Sequence, residues 1–458
     1  NPYGNTEVVW PSFDPGRGLV VNGGVRAPTS PNNLYHPGAR PARIAQWSVS
    51  MQREVIPNLI VEAAYLGNRG AWFYSPLLDT MAMNTLGGGQ LERFGLDIHK
   101  AADRTLLGQT IGSTQAAARG FFSPYAGFPT SQPVGQAIRP VPQWGTTNPY
   151  LGPFRGNTWY DALQVQVTKR YSHNLDLTAN FTYSHSMVLG VSSDSDFFVP
   201  GRPQVTDPFN RGINKQLNQL SPPLKTVISG TYTTPGLSHR DGLLRWANLV
   251  VKDWQVAAVL QYQSGELLTV PTSTNQLSGQ LRINAPAAGL VGILNYNPWN
   301  FINGSPFFRP GLDPNGTFDP RAYDAAAPNN TSVLAGGLQA NGTCSVAACA
   351  WSNPADGEWG VTAPYLEGFR WRRRPSEAFN FGRNFRMGRA VLNVRAEFQN
   401  IFNRLFYSAP TTANPNIAVS TTTQNGFRIP VGGYGVVNTL NGSGSSPRLG
   451  TLVARITF

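Results

Sequence analysis

The stretch "LQVQVTKRYSHNLDLTANFTYS", residues 163–184, decides the fold class. Leu163, Val165 and Val167 alternate with Gln164, Gln166 and Thr168. After a polar break, Leu175, Leu177, Ala179, Phe181 and Tyr183 alternate with Asp176, Thr178, Asn180, Thr182 and Ser184. Successive side chains of a β-strand point to opposite sides, so this two-residue period predicts strands with one apolar and one polar face. Periodicity alone leaves open which face looks inward.

The same pattern recurs along the 458 residues and predicts nine strands. They are expected at about 44–53, 58–66, 159–169, 175–185, 224–234, 251–264, 376–387, 390–402 and 448–458. The connections alternate strictly in length. Residues 53–57, 170–174, 235–250 and 387–389 are short, the third with room for a helical turn, whereas 67–158, 187–223, 265–375 and 403–447 are long. Long structureless loops are uncommon in a compact soluble domain. Short turns at one end and long loops at the other suit a transmembrane β-barrel, with periplasmic turns and extracellular loops. In that register Trp47, Tyr65, Trp159, Tyr183 and Tyr262 fall at outer strand ends on the apolar face, as an interfacial aromatic girdle; Trp254 and Phe458 lie at the opposite ends. The apolar face is then expected to meet lipid. The polar face, with Gln164, Gln166, Asn180, Gln261, Asn393, Arg395, Glu397 and Gln399, is expected to line a wide lumen. A soluble β-sandwich shares the periodicity but explains neither the loop lengths nor the aromatic register.

Composition agrees. Hydrophobic residues make up 41% and charged residues only 13%, while Gly (48) and Pro (37) are abundant, as many turns and long loops require. No apolar run reaches the roughly 20 residues of a membrane-spanning helix. The chain opens "NPYGNTEVVW", without an initiator Met or leader pattern, so the sequence is expected to be mature or to lack its front. The formal charge of +12 is scattered over the strands, which argues against nucleic acid as a partner.

Five stretches carry a family resemblance: "QWSVSMQREVIPNLIVEAAYLGNRG" (46–70), "TWYDALQVQVTKRYSHNLDLTANFTYSHS" (158–186), "DWQVAAVLQYQSGELLTV" (253–270), "VRAEFQNIFNRLFY" (394–407) and "SPRLGTLVARITF" (446–458). Taken in this order, the set is similar to the C-terminal part of the barrel of TonB-dependent outer-membrane receptors, in particular the Oar-like branch. The resemblance implies import of a bulky solute driven from the inner membrane through a TonB-type complex. It also implies that Phe458 resembles the signal read by the barrel-assembly machinery. The family's plug, TonB-contacting segment and N-terminal domain are not visible, so residues 1–458 are expected to be the C-terminal portion of a barrel of about 22 strands. Nine strands are odd in number, and an open edge in lipid leaves backbone groups unsatisfied. The remaining strands are therefore expected from upstream sequence or from another outer-membrane subunit. The rival functional reading is a structural or adhesive surface protein that transports nothing; a passive porin is a third.

No catalytic constellation is apparent: the five histidines are far apart, and neither a nucleophile elbow nor a phosphate loop is present. No cofactor is expected. Cys344 and Cys349, five apart in a Gly/Ala/Asn-rich loop, read as a local disulfide in an oxidising compartment rather than as a metal site. Asp313, Asn315 and Asp319 near Gly316 form a weak calcium-loop candidate that lacks the order of EF-hand ligands, and a plain Asx/Pro turn is favoured. "LGGGQ" (86–90) reads as a flexible loop tip. In "FRWRRRP" (369–375), Arg370, Arg372, Arg373 and Arg374 are candidates to contact lipopolysaccharide phosphates, with a salt-bridged loop stem as the equal alternative.

Overall fold

The computed structural model describes residues 20–21, 24–25, 40–74, 84, 86–142, 154–189, 210–236, 246, 248, 250–270, 300–301, 351–352, 362–412, 417–418, 420–424, 426–438, 440 and 447–458. Nine long strands form its frame: β1 (Arg43–Ile56), β2 (Leu59–Tyr74), β3 (Phe154–Ser172), β4 (Leu175–Leu189), β5 (Leu224–Thr233), β6 (Trp254–Gln263), β7 (Arg374–Met387), β8 (Ala390–Gln399) and β9 (Leu449–Thr457). Each pairs antiparallel with the next in sequence, in a single up-and-down meander. All nine expected strands are present. β2 and β3 run further than the alternation predicts, to Tyr74 and from Phe154, because β2 continues through a bulge between Ala71 and Phe73.

Tight turns join the strands at one end. His173 and Asn174 both have positive φ (53° and 62°), the geometry of a two-residue turn whose twist matches that of a hairpin. Asn58 (67°) and Gly388 (61°) do the same for β1–β2 and β7–β8. Trp246, Asn248, Val250 and Val251 are helical, as expected of the fourth connection at this end.

Among the described residues the sheet encloses no apolar core. Its apolar face is bare: Val49 is 70%, Met51 75% and Leu452 83% exposed. The one hydrophobic core cluster among the described residues lies in the connection between β2 and β3. There Leu86, Leu91, Leu106, Leu107, Ala116, Phe128, Val134 and Ile138 pack between four short helices, α1 (Gly88–Arg93), α2 (Ala101–Gly108), α3 (Thr114–Ala118) and α4 (Val134–Ala137). This corrects two expectations: the β2–β3 connection is folded, and "LGGGQ" enters helix α1 with Leu86 fully buried. Ser113 Oγ accepts from the Ala116 N–H (3.2 Å) to cap α3. Buried Asp103 accepts from the Asp97 N–H (2.9 Å) and from Arg119 Nη2 (2.8 Å). The Asp97 amide, helped by Arg119, holds the Asp103 carboxyl below the usual carboxylate range. Burial pulls the Arg139 guanidinium the same way, down to about 9, while its Nη1 donates to the Asn84 carbonyl.

The strand directions constrain what completes the sheet. β1 and β9 are its two edges, and no ladder joins them among the described residues. Eight reversals separate them, so they run the same way. Pairing β1 with β9, within one chain or between two copies, would put a parallel ladder into an antiparallel sheet. The completing strands are therefore expected to be odd in number, which strand counting in a high-resolution structure of the whole barrel checks; an even number, or a β1–β9 ladder, would contradict it. A second expectation concerns the helical insert. Asp103→Ala strands a buried amide and Arg119, and should cost the insert about 2–3 kcal/mol, read as faster proteolysis within residues 84–142. Because folding lowers the Asp103 pKa, its contribution is full above the ordinary carboxylate range and fades as pH falls through the folded value.

Candidate functional site

Register places residues in transverse rows, because directly opposed residues on neighbouring strands share a face. On the polar face one unbroken row runs Gln52–Glu62–Gln166–Asn180–Val227–Gln261–Ser376 across β1 to β7. The adjacent row contains Gln164, Thr182, Lys225, Gln263 and Arg374. Four of the expected lumen residues thus stand together: Gln166, Asn180 and Gln261 in one row, Gln164 in the next.

The other four stand on β8. Arg395 Nε donates to Glu397 Oε1 (2.6 Å) and its Nη1 to Asn393 Oδ1 (3.0 Å). Asn393 Nδ2 in turn donates to Asn384 Oδ1 on β7 (2.7 Å), and Gln399 ends the run, exposed. The β7 partner of Arg395 is Gly382, and the close approach needs glycine: a Cβ there would come within 2.4 Å of Arg395 Cβ. The result is a polar wall with charges paired along the strand, suited to a hydrated or plug-filled interior.

The apolar face carries the aromatic band. Tyr65, Leu163 and Tyr183 share a row with Val49, and the next row towards the long connections is Trp47, Gly67, Asp161 and His185. Trp159 is one row further on, with Arg69 and Met187. Gly67 is what allows Trp47 to lie across β2, since a Cβ would sit 2.2 Å from its ring. Tyr262 lies beside Thr226, which pairs with Phe181.

Two ion pairs in this band escape sequence reasoning. Arg69 Nη2 forks onto Asp161 (3.0 and 2.9 Å), which also accepts from the Tyr65 hydroxyl (2.7 Å). Glu377 opposes Leu260 on the apolar face and is only 2% exposed; Arg404 Nε covers it, 3.1 Å from both oxygens. Their partners lie 92 and 27 residues apart in sequence, and no periodicity marks such a pair. A weaker signal exists for Glu377, as the charge that opens "EAFNFGRNFRM" in phase with Phe379, Phe381 and Phe385.

The basic loop is built into the stem of the β6–β7 connection, where Leu267–Thr269 pairs with Tyr365–Arg370. Arg370 donates to the Glu367 and Gly265 carbonyls, Arg372 lies near the Trp371 and Tyr407 rings, and Arg373 is exposed. Arg374 pairs with Glu266 (3.3 Å) and by register stands on the polar face. Burial lowers the Arg370 pKa. Trp371 Nε1 donates to the Tyr407 carbonyl and Thr412 Oγ1 to that of Thr269, so the stem and the β8–β9 connection form one body. Phe458 continues the apolar face of β9 and is 96% exposed. Cys344, Cys349, Asp313, Asn315 and Asp319 lie outside the described residues. No group of metal-ligating side chains occurs among the described ones.

The Glu377–Arg404 pair gives a direct test of the rim. Arg404→Gln leaves a buried carboxylate without its partner and should cost about 3–5 kcal/mol. Adding Glu377→Gln should recover most of that loss. Urea unfolding in detergent, read by heat-modifiable mobility, distinguishes the two variants.

Comparison with known proteins places the chain. No curated protein and no solved structure matches it. A family model described as an outer membrane beta barrel domain matches residues 2–429, which covers eight of the nine strands and leaves β9 beyond its end. The observed sheet agrees with that description in its antiparallel up-and-down strands and its bare apolar face. The chain belongs to the outer membrane beta barrel domain family.

Proposed function

We propose that the chain forms part of an outer-membrane receptor that imports a bulky solute, with energy delivered through TonB. The long connections face outside and the short turns face the periplasm. The observation that carries this reading is the polar wall. A row of four amides, a carboxylate and a hydroxyl, broken only by Val227, crosses seven strands, and the Asn384–Asn393–Arg395–Glu397 ladder extends it over β7 and β8. So wide a polar surface fits a lumen that holds a movable plug. The plug and the TonB-contacting segment would be supplied by a region N-terminal to these strands, and the barrel-assembly machinery would read the Phe458 end. Because one fold serves many functions, energy coupling rests on the resemblance to TonB-dependent receptors rather than on the sheet.

A second reading has one observation in its favour. The β2–β3 connection is a folded body with its own core, more than gating requires, and fits a structural or adhesive surface protein.

Uptake separates the two. Cells lacking the gene should lose growth on, or accumulation of, one class among oligosaccharides, peptides and metal chelates. Removing TonB or collapsing the proton-motive force in the intact strain should reproduce that loss. No dependence on any solute, together with lost surface assembly, would favour the structural reading.

A further inference from the structure

The strongest unassigned feature is the outward rim of β1–β4, at the end from which the long connections leave. The outermost row that crosses all four strands reads Arg43, Ala71, Asn157, Leu189 and Lys215, the last on the short strand Lys215–Leu217 that pairs with β4. The rows beneath contain Arg69 and Trp159, then Trp47, Asp161 and His185. The rows thus change from aliphatic and tyrosine to tryptophan and finally to a row with a cation at each end, in the order in which a membrane passes from hydrocarbon to headgroup.

The cations are held by rings. Arg43 lies 4.3 Å and Arg40 5.2 Å from the centroid of Trp72, and Lys215 lies 4.3 Å from that of Trp159. Trp72 reaches this position because it takes positive φ (62°) in the bulge between Ala71 and Phe73, a costly conformation for a bulky residue. Arg211 closes the row by donating to the Arg155 carbonyl and to Asn157 Oδ1 (2.8 Å). Against Arg40, Arg43, Arg69, His185, Arg211 and Lys215, the rim has Asp161 as its one carboxylate among the described residues, and Arg69 already occupies it. A ring face orients a cation without neutralising it. Among the described residues no carboxylate takes Arg40, Arg43 or Lys215, which leaves their N–H groups to an anion.

We propose that this rim is a binding site for the phosphorylated sugar headgroup of the outer-leaflet glycolipid, lipopolysaccharide. Charge and height in the membrane select an anionic headgroup, and width selects among headgroups. Arg43 and Lys215 stand four strand spacings apart, roughly 19 Å at about 4.8 Å per strand. One phosphodiester cannot engage both ends of such a row. A disaccharide with a phosphate at each end can, with one phosphate taken by Arg40 and Arg43 and the other by Lys215 and Arg211 through charge-assisted hydrogen bonds. The site rests on the reading that the long connections face outside.

The test uses the whole protein purified from outer membranes, delipidated and returned to nanodiscs, with retained lipid counted by native mass spectrometry. Arg40→Gln/Arg43→Gln/Lys215→Gln should lower retention of diphosphorylated lipopolysaccharide about tenfold, the size of one charge-assisted bond. A charge-matched control at the opposite end, Lys252→Gln/Arg386→Gln/Arg389→Gln, should retain it as the wild type does. Should the triple variant fail to fold, phosphatase-treated lipopolysaccharide offered to the wild type should show the same loss. Unchanged retention in these arms, or phosphatidylglycerol held as well as lipopolysaccharide, overturns the proposal. Orientation is read separately from whole-cell thiol labelling of Gly108→Cys, an exposed site where a new Cβ meets nothing within 4 Å, against the wild type. Labelling with unchanged lipid retention sinks the site alone, whereas absence of labelling sinks the orientation.

Discussion

A backbone amide or carbonyl in hydrocarbon has no water to bond, and an unsatisfied one costs several kcal/mol. The rest of the structure follows from that constraint. It requires each strand to be paired along its length within the membrane, and the ladders from Arg43 through Thr457 do so with irregularities confined to strand ends. It places the left-handed residues Asn58, His173, Asn174 and Gly388 in turns, where water can reach the backbone. It also makes β1 and β9 incomplete, since each presents an edge that only another strand can satisfy.

With the backbone satisfied by the sheet, side chains are free to invert the usual arrangement. Leu452, Met51 and Val49 are among the most exposed residues, while amides and charges stand on the opposite face. Hydrophobic burial of the ordinary kind is used in the helical insert, where Leu86 and Val134 are fully buried. The two bodies thus draw on different solvents, lipid for the sheet and the protein's own interior for the insert. Several charges on the apolar face have a partner at its rim: Glu377 is covered by Arg404, Asp161 by Arg69 and Tyr65, and Arg43 lies against Trp72.

How much of this the sequence reveals depends on the range of the physics involved. A two-residue period is local, so all nine strands and the facing of Gln164 or Leu163 can be read directly. Alternation fails where a bulge intervenes, which is why the outer ends of β2 and β3 extend beyond their expected limits. The insert is hidden for a related reason: helices as short as Thr114–Ala118 show too few turns for an amphipathic period, and their Gly and Pro neighbours read as loop. The pairing of Arg69 with Asp161 depends on the register between β2 and β3 across a long connection. Arg374 is instructive in the same way, since its sequence neighbours suggest a basic patch while its register puts it beside Gln263 on the polar face.

The central claim is that the apolar face meets lipid and the polar face meets water. Spin labels placed one at a time at Trp47, Ser48, Val49, Ser50, Met51 and Gln52 of β1, in the complete barrel in native membranes, test it most directly. Collision with oxygen should peak at 47, 49 and 51, and collision with a water-soluble nickel chelate at 48, 50 and 52. Reversed phases, or chelate access at Val49 and Met51 equal to that at Ser48 and Ser50, would contradict the account.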